Sequence, residues 1–116
     1  MAFRFEDLQV WQKAIDLDDQ INTLSKKFPR DEIYVLTSQI KRAADSVVLN
    51  TAEGSTGQTK AVFKVFLGYS LRSAIEVVGC LFIGKKRGYI KDEDFKHLYG
   101  EYEVLVKMIT ALRKSI

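Results

Sequence analysis

Apolar residues in this chain recur at alternating steps of three and four, the spacing of one face of an α-helix, in four separate segments. In the first, Val10, Ala14, Leu17, Ile21, Leu24 and Phe28 form a seam that Trp11 and Ile15 widen. Asp7 is of N-cap type, Lys26 and Lys27 suit the negative end of the helix dipole, and Pro29 forbids continuation. The second segment is expected to start with Asp31 as N-cap and Glu32 in the first turn. Its seam is Ile33, Leu36, Ile40, Ala43 and Val47, with Asn50 next, and Gly54 and Gly57 mark its end. The third starts at the N-cap type Thr59, runs to about Lys86 and stops at Gly88. The fourth, capped by Lys91 or Asp92, carries Phe95, Leu98, Tyr102, Leu105, Ile109, Leu112 and Ile116. Ile90 and Phe95 stand there at the spacing of a hydrophobic staple.

No segment alternates apolar and polar residues as a half-buried strand does. Connections of about three to six residues turn each helix back on the last. The pattern predicts one all-α domain over residues 1–116, an up-down-up-down antiparallel four-helix bundle. A helix of about 24 residues is about 36 Å long, so the bundle should be elongated. The third segment is apolar nearly all round, from Val62 and Phe63 to Phe82 and Ile83. A single bundle leaves one face of each helix wet, so the excess predicts that this helix also meets another copy of the chain.

Composition narrows the chemistry. With 116 residues, 47% hydrophobic and 28% charged, the chain has the makings of one core and not of a disordered polymer. One cysteine, Cys80, makes no internal disulfide, and with the single His97 it cannot complete a four-ligand zinc site. The glycines form no phosphate-loop pattern, Thr56–Lys60 being only a faint likeness of one without a strand before it, and Glu-x-x-His of the di-iron bundles is absent. No cofactor, no metal and no catalytic residue is therefore expected. Glu53, Glu76 and His97 are the side chains an enzyme would have to use. The N-terminal residues lack the apolar core of a signal peptide, and the longest uncharged run of the third segment is eight residues, so the sequence reads as cytoplasmic and not membrane-bound.

Eighteen basic against fifteen acidic residues give a net charge of +3, which permits contact with nucleic acid without requiring it. The expected phosphate contacts are Lys41, Arg42, Lys60, Lys64, Lys85, Lys86 and Arg87. The bundle topology gathers Lys26, Lys27, Arg30, Lys85, Lys86, Arg87 and Lys91 at one pole, with Asp31, Glu32, Asp92, Glu93 and Asp94 among them. A ring of subunits would multiply the small excess of that pole. A polar stripe also runs through the apolar helices. Gln39, Arg42, Ser46, Asn50 and Glu53 recur at helical spacing in the second, and Arg72, Ser73 and Glu76 interrupt the third. Gln39, Ser46, Asn50, Glu53, Arg72, Ser73 and Glu76 are expected to form a buried structural polar network that fixes helix register or subunit pairing, since Arg and Glu are seldom buried unpaired, the alternative being a contact for a ligand or nucleic acid.

Several stretches together resemble the 23S rRNA intervening-sequence proteins. These are Phe5 to Ala14, Phe28-Pro29, Leu36 to Ala44, Asn50 to Gly54, then Lys60, Phe63, Phe66-Leu67, Ser73, Glu76 and Gly88 to Ile90. The resemblance covers nearly the whole chain. It implies an all-α bundle, no established catalytic activity, and kinship with the accessory protein of diversity-generating retroelements. That kinship implies a homo-pentameric ring, RNA or DNA as ligand and a reverse transcriptase or another protein as partner. The chain departs from the family pattern at Gly57 and Gln58, where basic residues are common, at Val62, where Glu would complete a capping box, and at Val78 and Cys80, which are apolar here.

Overall fold

In a computed structural model that describes residues 2–57 and 59–116, the periodic segments form α1 (Gln9–Ser25), α2 (Leu36–Gly54), α3 (Lys60–Lys86) and α4 (Asp92–Ser115). Gln58, one of the positions that depart from the family pattern, lies outside the described residues, as does Met1. No strand occurs among the described residues. A helix of 27 residues is about 40 Å long, so α3 spans a molecule measuring 43 × 23 × 23 Å. Each helix packs on the next, α3 most extensively, and a thinner contact between α1 and α4 closes the bundle.

The seams fall where their spacing places them. Ala14, Leu17 and Ile21 of α1, Ile40 and Val47 of α2, and Tyr102, Leu105 and Ile109 of α4 are almost fully enclosed. Leu112 and Ile116 pack at the partly buried edge of that core. The third helix adds Leu67, Ala74, Val77 and Leu81. Between α2 and α3 lies a buried polar contact that the seams did not announce. The Thr51 hydroxyl donates to the Val47 carbonyl at 2.8 Å and stands 2.9 Å from the Ser70 hydroxyl, both residues being wholly inaccessible. Just beyond it, Gly54 lets α3 close in: a Cβ there would stand 2.6 Å from Phe66 Cβ.

The helix ends correct several expectations. Asp7 does not cap α1. It closes a 3₁₀ turn, Arg4–Asp7, and the cap position is Leu8, without a side-chain hydrogen bond. The turn is held by its own contacts, Glu6 accepting from the Phe3 amide at 3.0 Å and Gln12 donating to the Glu6 carbonyl at 2.8 Å. Nor does α2 begin at Asp31. That residue sits in a 3₁₀ turn, Arg30–Glu32, and the connection between α1 and α2 runs over residues 26–35. The cause is tertiary. Glu32 Oε2 accepts from Arg87 Nη1 at 3.0 Å and from the Tyr89 hydroxyl at 2.8 Å, tying the turn to the far end of α3. Ile33 is thereby turned out of the expected seam and is half exposed, while α2 starts at Leu36 after Val35.

The other caps follow the sequence. The Thr59 hydroxyl accepts from the Val62 amide at 3.0 Å, so the cap works without the missing Glu. At the other end of α3, Gly88 adopts φ +80, a left-handed conformation that glycine tolerates best. The Gly88 and Tyr89 amides donate to the Lys85 and Gly84 carbonyls at 3.0 and 2.9 Å, the paired bonds of a Schellman turn. The cap of α4 is Lys91, with Ile90 and Phe95 both buried as a staple requires.

The outer face of α3 remains apolar. Val65, Tyr69, Ile75, Phe82 and Ile83 are 40–57% exposed, so one copy of the chain does not cover them. Gly79 lies on the same face, and a Cβ there would meet nothing within 4 Å. Among the described residues α3 is also the one helix long and apolar enough to cross a membrane, with a mean hydropathy of 1.5 in its most apolar stretch. Lys64, Arg72 and Glu76 are spread too thinly to bring it below that mark. A third of the stretch is built into the bundle interior.

Candidate functional site

The polar stripes of α2 and α3 meet across a cleft of about 550 Å³, lined by Tyr34, Ser38, Gln39, Arg42, Ser46, Ser73 and Glu76 with Val35 and Ala43. Asn50 Nδ2 donates to Ser46 Oγ at 2.8 Å, Ser73 Oγ donates to Ser46 Oγ at 2.9 Å, and Gln39 Nε2 reaches Glu76 Oε2 at 3.4 Å. Five of the seven expected network residues are thus joined. The network is nevertheless not buried, because helical spacing sets which residues share a stripe but not how far the stripe rotates from the core. Arg72 and Glu53 point to solvent and take no hydrogen bond or ion pair among the described residues, so Arg72 and Glu76, four positions apart on α3, do not pair. The inaccessible polar pair is Thr51–Ser70, which sequence reasoning missed. Its only signal was two hydroxyl residues at seam-flanking positions, 19 apart.

The seven expected phosphate contacts are dispersed. Lys41 and Arg42 are exposed along α2, Lys60 and Lys64 stand at the start of α3, and Lys85, Lys86 and Arg87 close its end. At that last pole three of the seven cations meet carboxylates. Lys85 pairs with Asp92 at 3.0 Å and lies over the Phe95 ring, Arg87 pairs with Glu32 at 3.0 Å, and Lys27 approaches Asp94 at 3.9 Å. The opposite pole differs. Lys64 lines a groove of about 280 Å³ between α3 and α4 together with Arg113, Lys114, Leu71 and Thr110, and no carboxylate lines it. Arg113 Nε donates to the Lys64 carbonyl at 2.9 Å, which fixes the guanidinium over Gly68 of α3. Arg113 and Lys114 were not expected at a site. Their proximity to Lys64 is a matter of helix rotation that spacing does not give.

Two further groups lie apart. Asp18 of α1 faces Asp45 of α2 across a hollow also lined by Asp19, Asn22 and Lys41. Burial first, then the hydrogen bond and charge of Asp45, push the Asp18 carboxyl up to about 7. Cys80 is buried, and desolvation, with Glu76 second, pushes its thiol up to about 11, so it stays protonated at neutral pH. The three side chains an enzyme would need do not converge: Glu76 lines the α2–α3 cleft, Glu53 is exposed on α2, and His97 Nε2 meets Gln20 Oε1 at 2.9 Å in the crevice between α1 and α4. Among the described residues no group of three or more His, Cys, Asp or Glu is placed to hold a metal.

The fold and its surface define an all-α, four-helix bundle protein whose third helix serves the core on one side and presents apolar residues on the other. The chain belongs to the 23S rRNA-intervening sequence protein family, whose model matches residues 6–111. Among solved structures it is similar to a protein with unknown function from the S23 ribosomal protein family of Bacteroides thetaiotaomicron VPI-5482. The TM-score is 0.84 at 24% identity over 90% of this chain and 98% of that one. That likeness shows the fold. No curated protein matches the chain.

Proposed function

We propose that this protein is a non-catalytic, homo-oligomeric RNA-binding bundle, with a pentameric ring as the expected assembly. The observation that carries the RNA reading is the groove of Lys64, Arg113 and Lys114, three cations from two helices with no carboxylate among its lining residues. Phosphates are bound by such groups chiefly through release of counterions. The exposed Lys60 stands at the same end of α3, and a ring would repeat the groove. The apolar outer face of α3, with Ile75 57% and Phe82 53% exposed, supports the assembly. Fluorescence anisotropy with a structured RNA, titrated against salt, tests the binding. Affinity should fall steeply with salt, and Lys64→Gln with Arg113→Gln should flatten the slope by roughly 0.7–0.9 for each contact removed. No affinity at low salt would dispose of the RNA reading. Light scattering tests the assembly, which should exceed the 13.3 kDa monomer several-fold.

A second reading, an accessory subunit for a protein such as a reverse transcriptase, is favoured by the ion pairs that occupy Lys85 and Arg87. It predicts salt-tolerant capture of that protein that survives nuclease treatment.

A further inference from the structure

We infer that the α2–α3 cleft takes an unpaired nucleotide of single-stranded RNA, with Tyr34 as the stacking platform. The inference rests on the RNA reading above and adds a second, chemically distinct contact to it. Tyr34 is 92% exposed, more than any other large hydrophobic among the described residues, and it stands at the rim of the cleft. An aromatic ring left this bare gains nothing for the bundle and offers both faces to a base. The cleft is within the roughly 300–1,000 Å³ usual for small-molecule sites. Its walls supply the remaining complement of a nucleotide. Arg42 has no ion pair among the described residues and presents a planar fork suited to a phosphate. Glu76 accepts only a long bond from Gln39, at 3.4 Å, so its carboxylate can accept from the exocyclic amine of a base while the Gln39 carbonyl accepts alongside. Ser46 and Ser73 are already engaged with each other and form the floor.

This arrangement selects strandedness and, in part, the base. A duplex keeps its bases stacked and offers shape, sugars and phosphates, whereas recognition by an aromatic platform and base-edge acceptors needs a base splayed out. A carboxylate acceptor favours cytosine, with its amine, over uracil, which presents a carbonyl at that position.

Anisotropy with fluorescein-labelled decacytidylate, decauridylate and an RNA duplex of about 16 base pairs tests the inference on the full chain. Tyr34→Ala should weaken decacytidylate binding roughly 5- to 150-fold, the effect of losing one stacked base, with little change for the duplex or in salt slope. Tyr34→Phe should restore it. Decacytidylate should bind more tightly than decauridylate, and Glu76→Gln should narrow that gap. Wild type that binds all probes with affinities untouched by Tyr34→Ala would overturn the inference and leave the RNA reading standing. So would equal binding of the two decamers, or a fall in assembly mass on Tyr34→Ala, which would place the ring between copies. Wild type that binds none of the probes at low salt would remove both.

Discussion

The buried hydroxyl pair between α2 and α3 can be tested as a coupled unit. Thr51 has one proton, and the 2.8 Å contact spends it on the Val47 carbonyl. Ser70 must then donate, either to Thr51 Oγ1 at 2.9 Å or to the same carbonyl at 3.3 Å. Ser70→Ala deletes that donor and leaves Thr51 satisfied, at a cost of about 1 kcal/mol for one net hydrogen bond. Thr51→Val keeps the shape but leaves a buried serine hydroxyl with only the longer bond, costing about 1–2 kcal/mol. With both changes no polar side-chain atom remains in the contact to be desolvated. The double variant should therefore be about 1 kcal/mol more stable than the sum of the single effects. Urea titrations at one fixed protein concentration, with unchanged m-values, give the three differences. Additivity within about 0.3–0.5 kcal/mol would refute the reasoning, because it would mean that the two hydroxyls do not share a proton path.

Other consequences can be checked as directly. Asp18 is held near 7 against an ordinary 3.8, so between those values the native state binds a proton that the unfolded chain does not. Stability from this group should then fall as pH rises from about 4 to 7 and level off above, and Asp18→Asn should abolish that fall in urea midpoints. Glu32 is held below its ordinary range, first by the Tyr89 hydroxyl and then by Arg87, and so contributes stability that is lost on acidification. Glu32→Gln should lower the melting temperature at neutral pH and shrink the difference at about pH 4. Gly54→Ala should destabilise by about 1–3 kcal/mol, since the clash is with Phe66 Cβ and the α3 backbone must shift to relieve it. At Gly79 nothing lies within 4 Å, so alanine should stabilise the lone bundle by about 0.5–1 kcal/mol. A lower assembly mass for Gly79→Ala in light scattering would place another copy against that helix.

What the sequence made readable was whatever depends on position along one helix. The seam from Phe95 to Ile109 is buried as its spacing required, and Thr59 caps α3 as its residue type required. The connection over residues 26–35 was misread because its shape is set by Glu32 reaching Arg87 and Tyr89, 55 and 57 positions away. The cleft was half legible. Helical spacing grouped Gln39, Ser46 and Asn50, and grouped Ser73 with Glu76, yet only the rotation of α2 against α3 put the two groups on the surface instead of in the core. The same rotation, between other pairs of helices, joins Asp18 to Asp45 and Lys64 to Arg113.

The thin contact between α1 and α4 has a dynamic consequence. The helices are wound like a scroll, and this is where its two edges meet. Much of what fastens them is hydrophilic: Lys13 to Glu101 at 2.8 Å, His97 to Gln20 at 2.9 Å and Lys27 near Asp94. Such fastenings exchange readily with water, whereas the α2–α3 boundary is sealed by inaccessible side chains. Breathing of the native molecule should begin along that edge, so the solvent-side amides of α1 and α4 should take up deuterium well before those of α2 and α3.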